Sequence, residues 1–194
     1  NTFASPVNQN PIDHGIDIVI HSATKYLGGH SDISAGAVVS TEKNINLILN
    51  SAKNFGGNLS DYTVWLLERS MKTLFIRVRE QTNNAKLLAK MLEENSNISR
   101  VYYPGLESHP SYIIAKTQMK DFGAMMSFDL NENIDVYKFL KNLKVVKPGM
   151  SLAGVETTVN FPMKTSHGLL TQDERDNQGI GNKLIRLSVG IESY

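Results

Sequence analysis

The sequence contains no cysteine, which excludes disulfide bonds, cysteine nucleophiles and thiolate metal sites. It also has almost no net charge, because 20 basic and 19 acidic residues leave a formal charge of +1. This scattered charge does not indicate binding to DNA, RNA or an acidic membrane. No apolar run approaches the length of a transmembrane helix, and the first residues do not resemble a signal peptide. We therefore predict a cytoplasmic protein whose partners include neither nucleic acid nor a membrane.

Short apolar runs alternate with amphipathic stretches along the chain, which predicts an α/β protein. The apolar run at residues 17–21 predicts a buried strand of the kind found in parallel sheets. A polar loop with two consecutive glycines follows it, and residues 35–39 predict the next strand. The ordinary share of apolar residues indicates a globular core and not a disordered chain.

Helical patterns occupy much of the remaining chain. Thr41 and its neighbours are suited to cap a helix over residues 43–54, whose apolar residues lie on one face. The longer pattern over residues 61–95 predicts either two helices or one helix with a bend near Ser70. Beyond it we predict strands at 100–103, 124–130 and 184–189, helices at 111–120 and 134–143, and an extended segment at 145–146.

Lys25 follows the first predicted strand, with Ser22 and Thr24 beside it. A lysine that forms a Schiff base must spend time as a neutral amine, and a desolvated position lowers its pKa. If the strand extends as far as Thr24, alternation places both hydroxyl groups on one side, where they could donate to one phosphate. The alternative, from this local pattern alone, is a strand that ends in polar residues with Lys25 in solvent.

The segment at residues 22–32, Ser-Ala-Thr-Lys-Tyr-Leu-Gly-Gly-His-Ser-Asp, closely resembles the cofactor-lysine segment of the cystathionine lyases and synthases. These enzymes belong to the pyridoxal-phosphate (PLP)-dependent family of Cys/Met metabolism. Many separate matches in one order are more specific than any single motif. The other matches, in the family's order, are residues 1–3, 72–74, 77, 101–106, 109–110, 151–152, 154, 156 and 184–190.

The resemblance implies a role for five residues. Lys25 would bond the cofactor aldehyde and, once the substrate amine has released it, move protons at the substrate. Ser22 and Thr24 would bind the cofactor phosphate. Arg186 would hold the substrate α-carboxylate, which its two-pronged guanidinium suits, and Ser151 would orient that carboxylate. A buried salt bridge is the alternative for Arg186, and a position in a turn is the alternative for Ser151.

The resemblance also implies the aspartate-aminotransferase-like α/β fold (fold type I). Residues 1–73 would be the end of the large PLP-binding domain, and residues 74–194 would form the small C-terminal domain without its last helix. Family members are typically homotetramers, built as dimers of dimers. The family's aspartate that protonates the pyridine nitrogen would lie just before Asn1. We therefore expect this chain to need its own N-terminal segment as a partner.

The run from Gly29 to Asp32 is typical of cystathionine enzymes, whereas methionine γ-lyases and O-acetylhomoserine sulfhydrylases more often have glycine in place of Ser31. We therefore predict a PLP-dependent carbon–sulfur lyase of methionine and cysteine metabolism, acting on cystathionine by β- or γ-elimination. One alternative is a cystathionine γ-synthase, which performs γ-replacement on an activated homoserine. Another is a C-terminal fragment that is inactive without its N-terminal part.

Some residues depart from the family pattern. The departures are at Asp61, Thr63, Ser70 and Gln81, and we expect none of them to affect the five residues with implied roles. His30 and Asp32 are too few ligands for a metal ion, so we predict no metal site.

Overall fold

The computed structural model describes residues 1–193, and its strands form two separate sheets. In the first sheet, β1 (Ile18–Ser22) pairs antiparallel with β2 (Gly36–Ser40). Both strands were predicted, but β1 does not form a parallel pair with β2, although its apolar run is typical of strands in parallel sheets. A parallel pairing needs a crossover connection, and the chain here returns through turns without a helix. One face of the pair is also open, since Ile20 is 64% exposed.

A short helix, α1 (Ser5–Asn8), precedes β1 and was not predicted. The helices after the first sheet agree with the prediction. α2 (Glu42–Phe55) begins after Thr41, whose hydroxyl accepts the N–H of Asn44 and confirms the predicted cap. The long helical pattern is two helices, α3 (Asp61–Met71) and α4 (Leu74–Glu93). No helix among residues 1–193 has both the length and the apolar character needed to cross a membrane.

The second sheet has five strands in the order β3-β4-β7-β6-β5. Its neighbours pair antiparallel, except that β5 and β6 are parallel. Two strands or α-helices of this part of the chain were missed. β6 was missed because it has only three residues, and α7 was missed although Thr171 and Glu174 form a capping box. The elements of this part are β3 (Ile98–Tyr102), α5 (Tyr112–Gln118), β4 (Met125–Leu130), α6 (Val136–Asn142), β5 (Lys147–Pro148), β6 (Thr158–Asn160), α7 (Gln172–Asn177) and β7 (Leu184–Ser188).

Two apolar clusters form the interior. The larger one lies between α4 and one face of the five-stranded sheet, where Val78 and Ile185 are almost fully buried. The smaller one includes Ala23 and Leu27, on the segment that follows β1. Tyr26, between those two residues, belongs to the larger cluster. The segment that contains Lys25 is therefore anchored in both clusters.

Candidate active site

Lys25 lies in a series of turns directly after β1, where the chain leaves the first sheet. Its backbone N–H donates to the carbonyl of Ser22 at 3.1 Å, which closes the first turn. Its side chain is half-buried, and its ammonium forms no hydrogen bond or ion pair with any of residues 1–193. A primary amine that is not held in an ion pair is the kind of group that can bond an aldehyde.

The two hydroxyl residues beside Lys25 differ in their contacts. The backbone N–H of Ser22 donates to the hydroxyl of Thr2 at 3.0 Å, and the Ser22 hydroxyl has no hydrogen bond within the described residues. The Thr24 hydroxyl donates to the Ala35 carbonyl at 3.2 Å and accepts the Ala35 N–H at 2.9 Å. Because β1 ends at Ser22, strand alternation does not extend to Thr24 and cannot place the two hydroxyls on one side.

Arg186 lies in the middle of β7, between Ser127 of β4 and Asn160 of β6. Its Nη2 donates to the carbonyl of Met150 at 3.0 Å, and no carboxylate among residues 1–193 pairs with it. The alternative of an internal salt bridge is therefore wrong for this part of the chain. Burial lowers the pKa of Arg186, but a guanidinium stays protonated. Arg186 thus keeps N–H donors available for a carboxylate.

Ser151 connects the Arg186 region to the loop that follows Lys25. Its hydroxyl lies 2.9 Å from the hydroxyl of Ser31, and its carbonyl accepts the Thr158 hydroxyl at 2.8 Å. Ser31 has a φ of +56°, a backbone conformation that residues other than glycine rarely adopt. The structure therefore joins two segments that are far apart in sequence, one next to Lys25 and one next to the carbonyl that Arg186 contacts.

Arg77 is a residue of this region to which the sequence assigned no role. It is only 5% exposed, and its guanidinium donates to the carbonyls of Tyr26 at 3.0 Å, Leu27 at 3.4 Å and Ser70 at 3.0 Å. Its Nε also donates to the hydroxyl of Thr73 at 3.1 Å. The motif match at residues 72–77 was the available signal, but a motif does not reveal which backbone atoms an arginine will contact.

Two of the departures from the family pattern are buried near the site. The Gln81 amide donates to the carbonyls of Gly154 at 2.7 Å and Val189 at 3.2 Å. Ser70 supplies one of the carbonyls that accept from Arg77. Neither residue hydrogen-bonds to the five predicted site residues, as we expected, but both support the segments on which those residues lie.

The chain is similar to known proteins along its whole length. The family model of the Cys/Met metabolism PLP-dependent enzymes matches residues 1–194. The chain belongs to this family. The resemblance inferred from the motifs is thereby confirmed.

Relatives within the family have names that refer to different reactions. The chain is 44% identical over 194 residues to cystathionine beta-lyase of Lactococcus lactis subsp. cremoris, aligning over 100% of its own length and 51% of that protein. It is 42% identical over 196 residues to L-methionine gamma-lyase of Fusobacterium nucleatum subsp. nucleatum, aligning over 100% of itself and 50% of the relative. The chain thus spans about half the length of these relatives.

A solved structure supports the predicted fold. Cystathionine gamma-lyase from Lactobacillus plantarum, complexed with L-serine, matches 100% of this chain and 51% of its own chain with a TM-score of 0.93 at 41% identity. The α/β fold is therefore that of the PLP-dependent cystathionine lyases (fold type I), as predicted.

The residues around Lys25 suit the family's cofactor. PLP requires a primary amine for its aldehyde and hydrogen-bond donors for its phosphate. Lys25 provides an amine without an acidic partner, and Ser22 provides a hydroxyl that is not engaged within residues 1–193. The residues present in this chain therefore fit PLP.

Proposed function

We propose that this chain is the C-terminal part of a PLP-dependent cystathionine lyase of methionine and cysteine metabolism. One observation supports the proposal most directly. Lys25 and Arg186 both lack an acidic partner within residues 1–193. The Ser31–Ser151 hydrogen bond joins the loop after Lys25 to the loop whose Met150 carbonyl accepts from Arg186. A free amine and a free guanidinium are the groups needed for a cofactor aldehyde and a substrate carboxylate.

The proposed reaction is cleavage of a C–S bond of cystathionine by β- or γ-elimination. Relatives at 44% and 42% identity have names that refer to different reactions, so sequence identity does not separate the two eliminations. Ser31 in the run Gly29 to Asp32 favours cystathionine over methionine as the substrate, as the family resemblance implies.

Each of the proposed site residues has one task in this mechanism. Bound PLP supplies an electron sink for the negative charge that develops at the substrate Cα. Arg186 binds the substrate α-carboxylate, and Ser151 donates a hydrogen bond that fixes the orientation of that carboxylate. With the carboxylate held in this way, the Lys25 amine would be the base that removes the proton from the substrate Cα. No carboxylate among the described residues competes for the Lys25 amine.

Ser22 and Thr24 are the proposed phosphate ligands. The Ser22 hydroxyl can donate directly, because it has no other hydrogen bond within the described chain. The Thr24 hydroxyl must turn its hydrogen away from the Ala35 carbonyl to donate to phosphate. The Ala35 N–H can still donate to the Thr24 oxygen at the same time, so the backbone need not move.

We propose the division of the chain at residue 73, with residues 1–73 in the large domain and residues 74–194 in the small one. The two sheets lie on either side of this boundary. The proposed partner of the first sheet is the protein's own N-terminal segment. The amino group of Asn1 donates to the Ile20 carbonyl at 2.9 Å, so a preceding segment would continue along the free edge of β1. A homotetramer and a cytoplasmic location complete the proposal.

Reduction with borohydride tests the cofactor site. The full-length protein is reduced, digested and mapped for a pyridoxyl adduct by mass spectrometry. We expect the adduct on Lys25, and we expect none in the Lys25→Ala variant. Lys53→Ala, which removes an exposed lysine of α2, is the matched control and should retain the adduct. An adduct on a different lysine, or no adduct in the wild type, would contradict the proposal.

Product analysis then decides the reaction. The full-length protein is incubated with cystathionine, and the keto acids and thiols are quantified. Pyruvate with homocysteine indicates β-elimination, and 2-oxobutyrate with cysteine indicates γ-elimination. Turnover only of an activated homoserine with cysteine would replace the lyase proposal with a synthase. If the 194-residue chain alone were active, its need for the N-terminal segment would be disproved.

A further inference from the structure

Arg77 is a buried cation whose partners are uncharged. Arginine is rarely so buried unless it is paired, and no carboxylate among residues 1–193 contacts this one. Its charge is balanced by carbonyl dipoles, and those of Tyr26 and Leu27 belong to the residues directly after Lys25. The third carbonyl, from Ser70, is at the end of α3. The Arg77 guanidinium therefore connects, by hydrogen bonds, the turns after Lys25 to the junction between α3 and α4.

Gly29 provides the space that this arrangement requires. A Cβ placed on Gly29 would lie 1.8 Å from Nη1 of Arg77, much closer than any two such atoms can approach. Gly29 also has a φ of +67°, which glycine adopts without strain. Glycine is therefore the one residue type at position 29 that fits both the positive φ and the close approach of the Arg77 guanidinium.

We propose that Arg77 is a positioning residue for Lys25, and that it acts by holding the carbonyls of Tyr26 and Leu27. This inference rests on the proposed function, in which Lys25 bonds PLP. The position of the Lys25 amine depends on the backbone that supports it. A displacement of about 1 Å at a reacting group can reduce a rate by about 100-fold. Loss of the Arg77 contacts should therefore affect cofactor binding more than it affects folding.

Two variants of the full-length protein test the proposal by different routes. Arg77→Lys keeps the charge but cannot reach three carbonyls with one ammonium. Gly29→Ala does not change residue 77, but its new Cβ displaces the Arg77 guanidinium. The matched control for the first variant is Arg79→Lys, an exposed arginine two residues further along α4. The matched control for the second is Gly179→Ala, because Gly179 has a φ of +70° and no atom near its Cβ position.

Three quantities are measured for each variant. They are the dissociation constant of PLP from the cofactor-free protein, the pH midpoint of the visible absorbance of the bound cofactor, and the thermal midpoint of the cofactor-free protein. We expect Arg77→Lys and Gly29→Ala to weaken PLP binding by about 10- to 100-fold and to shift the pH midpoint, because the Lys25 amine is displaced. The two controls should match the wild type in PLP binding and pH midpoint.

A purely structural role would give a different result. Both variants would then lower the thermal midpoint, and the folded protein would bind PLP with the wild-type affinity and pH midpoint. That result would overturn the proposal. If Arg77→Lys does not fold, Gly29→Ala alone decides the outcome by the same two quantities. The borohydride experiment on the wild-type protein is done first. If it gives no pyridoxyl adduct on Lys25, the proposed function is refuted, and the variants are not needed to show this.

Discussion

The two sheets of this chain differ in how completely they bury their apolar side chains. The five-stranded sheet packs one face against α4, and Ile185 in its centre is fully buried. The two-stranded sheet leaves Ile20 64% exposed and Val39 50% exposed. Two strands alone are at best marginally stable in water, and independent stability needs three or more strands with an apolar face, or packing against a helix. The proposed cofactor lysine thus follows the less enclosed sheet, and the proposed carboxylate ligand lies in the better enclosed one.

Because the first sheet is open, the contacts that hold the Lys25 segment in place have to be identified individually. Besides its contacts within residues 1–73, the segment contacts the other part of the chain through the burial of Tyr26, the guanidinium of Arg77 and the hydroxyl pair of Ser31 and Ser151. A substitution near Arg186 should therefore change substrate binding, while a substitution near Lys25 should change cofactor binding. The predictions below test this division, from the largest expected effect to the smallest.

Removal of the Lys25 amine should have the largest effect. We expect Lys25→Ala to reduce kcat by about 100- to 10,000-fold or more, because the proton-transfer group is lost. The thermal midpoint of the cofactor-free protein should change little, since the amine has no partner within residues 1–193. Steady-state kinetics and thermal unfolding check these two statements. Activity within tenfold of wild type would exclude Lys25 as the catalytic amine.

The two sheets should also respond differently when a large apolar side chain is removed from each of them in the full-length protein. In the full-length protein, Ile185→Ala should lower the free energy of unfolding by about 2–5 kcal/mol, because it leaves a cavity in the larger cluster. Ile20→Ala should cost clearly more than about 0.5 kcal/mol, the usual limit for an exposed site, because we propose that the N-terminal segment covers this face. Denaturant unfolding measures both values.

The control for Ile20 is an isoleucine of similar exposure elsewhere. Ile113 of α5 is 67% exposed, against 64% for Ile20. Ile113→Ala should stay within about 0.5 kcal/mol of wild type. If Ile20→Ala is equally mild, the first sheet remains open in the full-length protein, and the proposed N-terminal partner does not cover it.

Substitution of Arg186 should weaken substrate binding without loss of stability. Arg186→Lys removes the two-pronged geometry, and we expect KM to rise by about 10- to 100-fold, as for the loss of a charged hydrogen bond. No carboxylate within residues 1–193 is left unpaired by the change. Arg100→Lys, at an exposed arginine of β3, serves as the control for kinetics and unfolding. A fall in stability with an unchanged KM would indicate a structural arginine instead.

The hydroxyl pair should give the smallest effect. Both Ser31 and Ser151 are exposed, so a double-mutant cycle with Ser31→Ala and Ser151→Ala should give a coupling of about 0.5 kcal/mol in kcat/KM, the lower end for a hydrogen bond. Ser31→Gly also loses the hydroxyl but relieves the positive φ, so it should be about 1 kcal/mol more stable than Ser31→Ala. Equal stability of the two, or a coupling of zero, would contradict this account.

Sequence patterns predicted most elements of the fold, since periodicity reports which face of a helix or strand is buried. The strand at residues 17–21 and the helical pattern over residues 61–95 are examples that the structure confirms, and it decides for two helices over one bent helix. The antiparallel pairing of β1 with β2 was not predicted, because an apolar run does not specify the direction of its neighbour. β6 was missed because three residues are too few to establish a period.

By itself the sequence determined the family, the α/β fold and the position of a lysine after a strand, because these follow from motifs, periodicity and side-chain chemistry along the chain. Only the tertiary structure decided which groups surround that lysine. Arg77 bonds a carbonyl 51 positions away, and Ser31 meets Ser151 across 120 positions. Every residue has a backbone carbonyl, so no residue type marks the one that a distant arginine will bind, and its identity follows from how the two apolar clusters pack together.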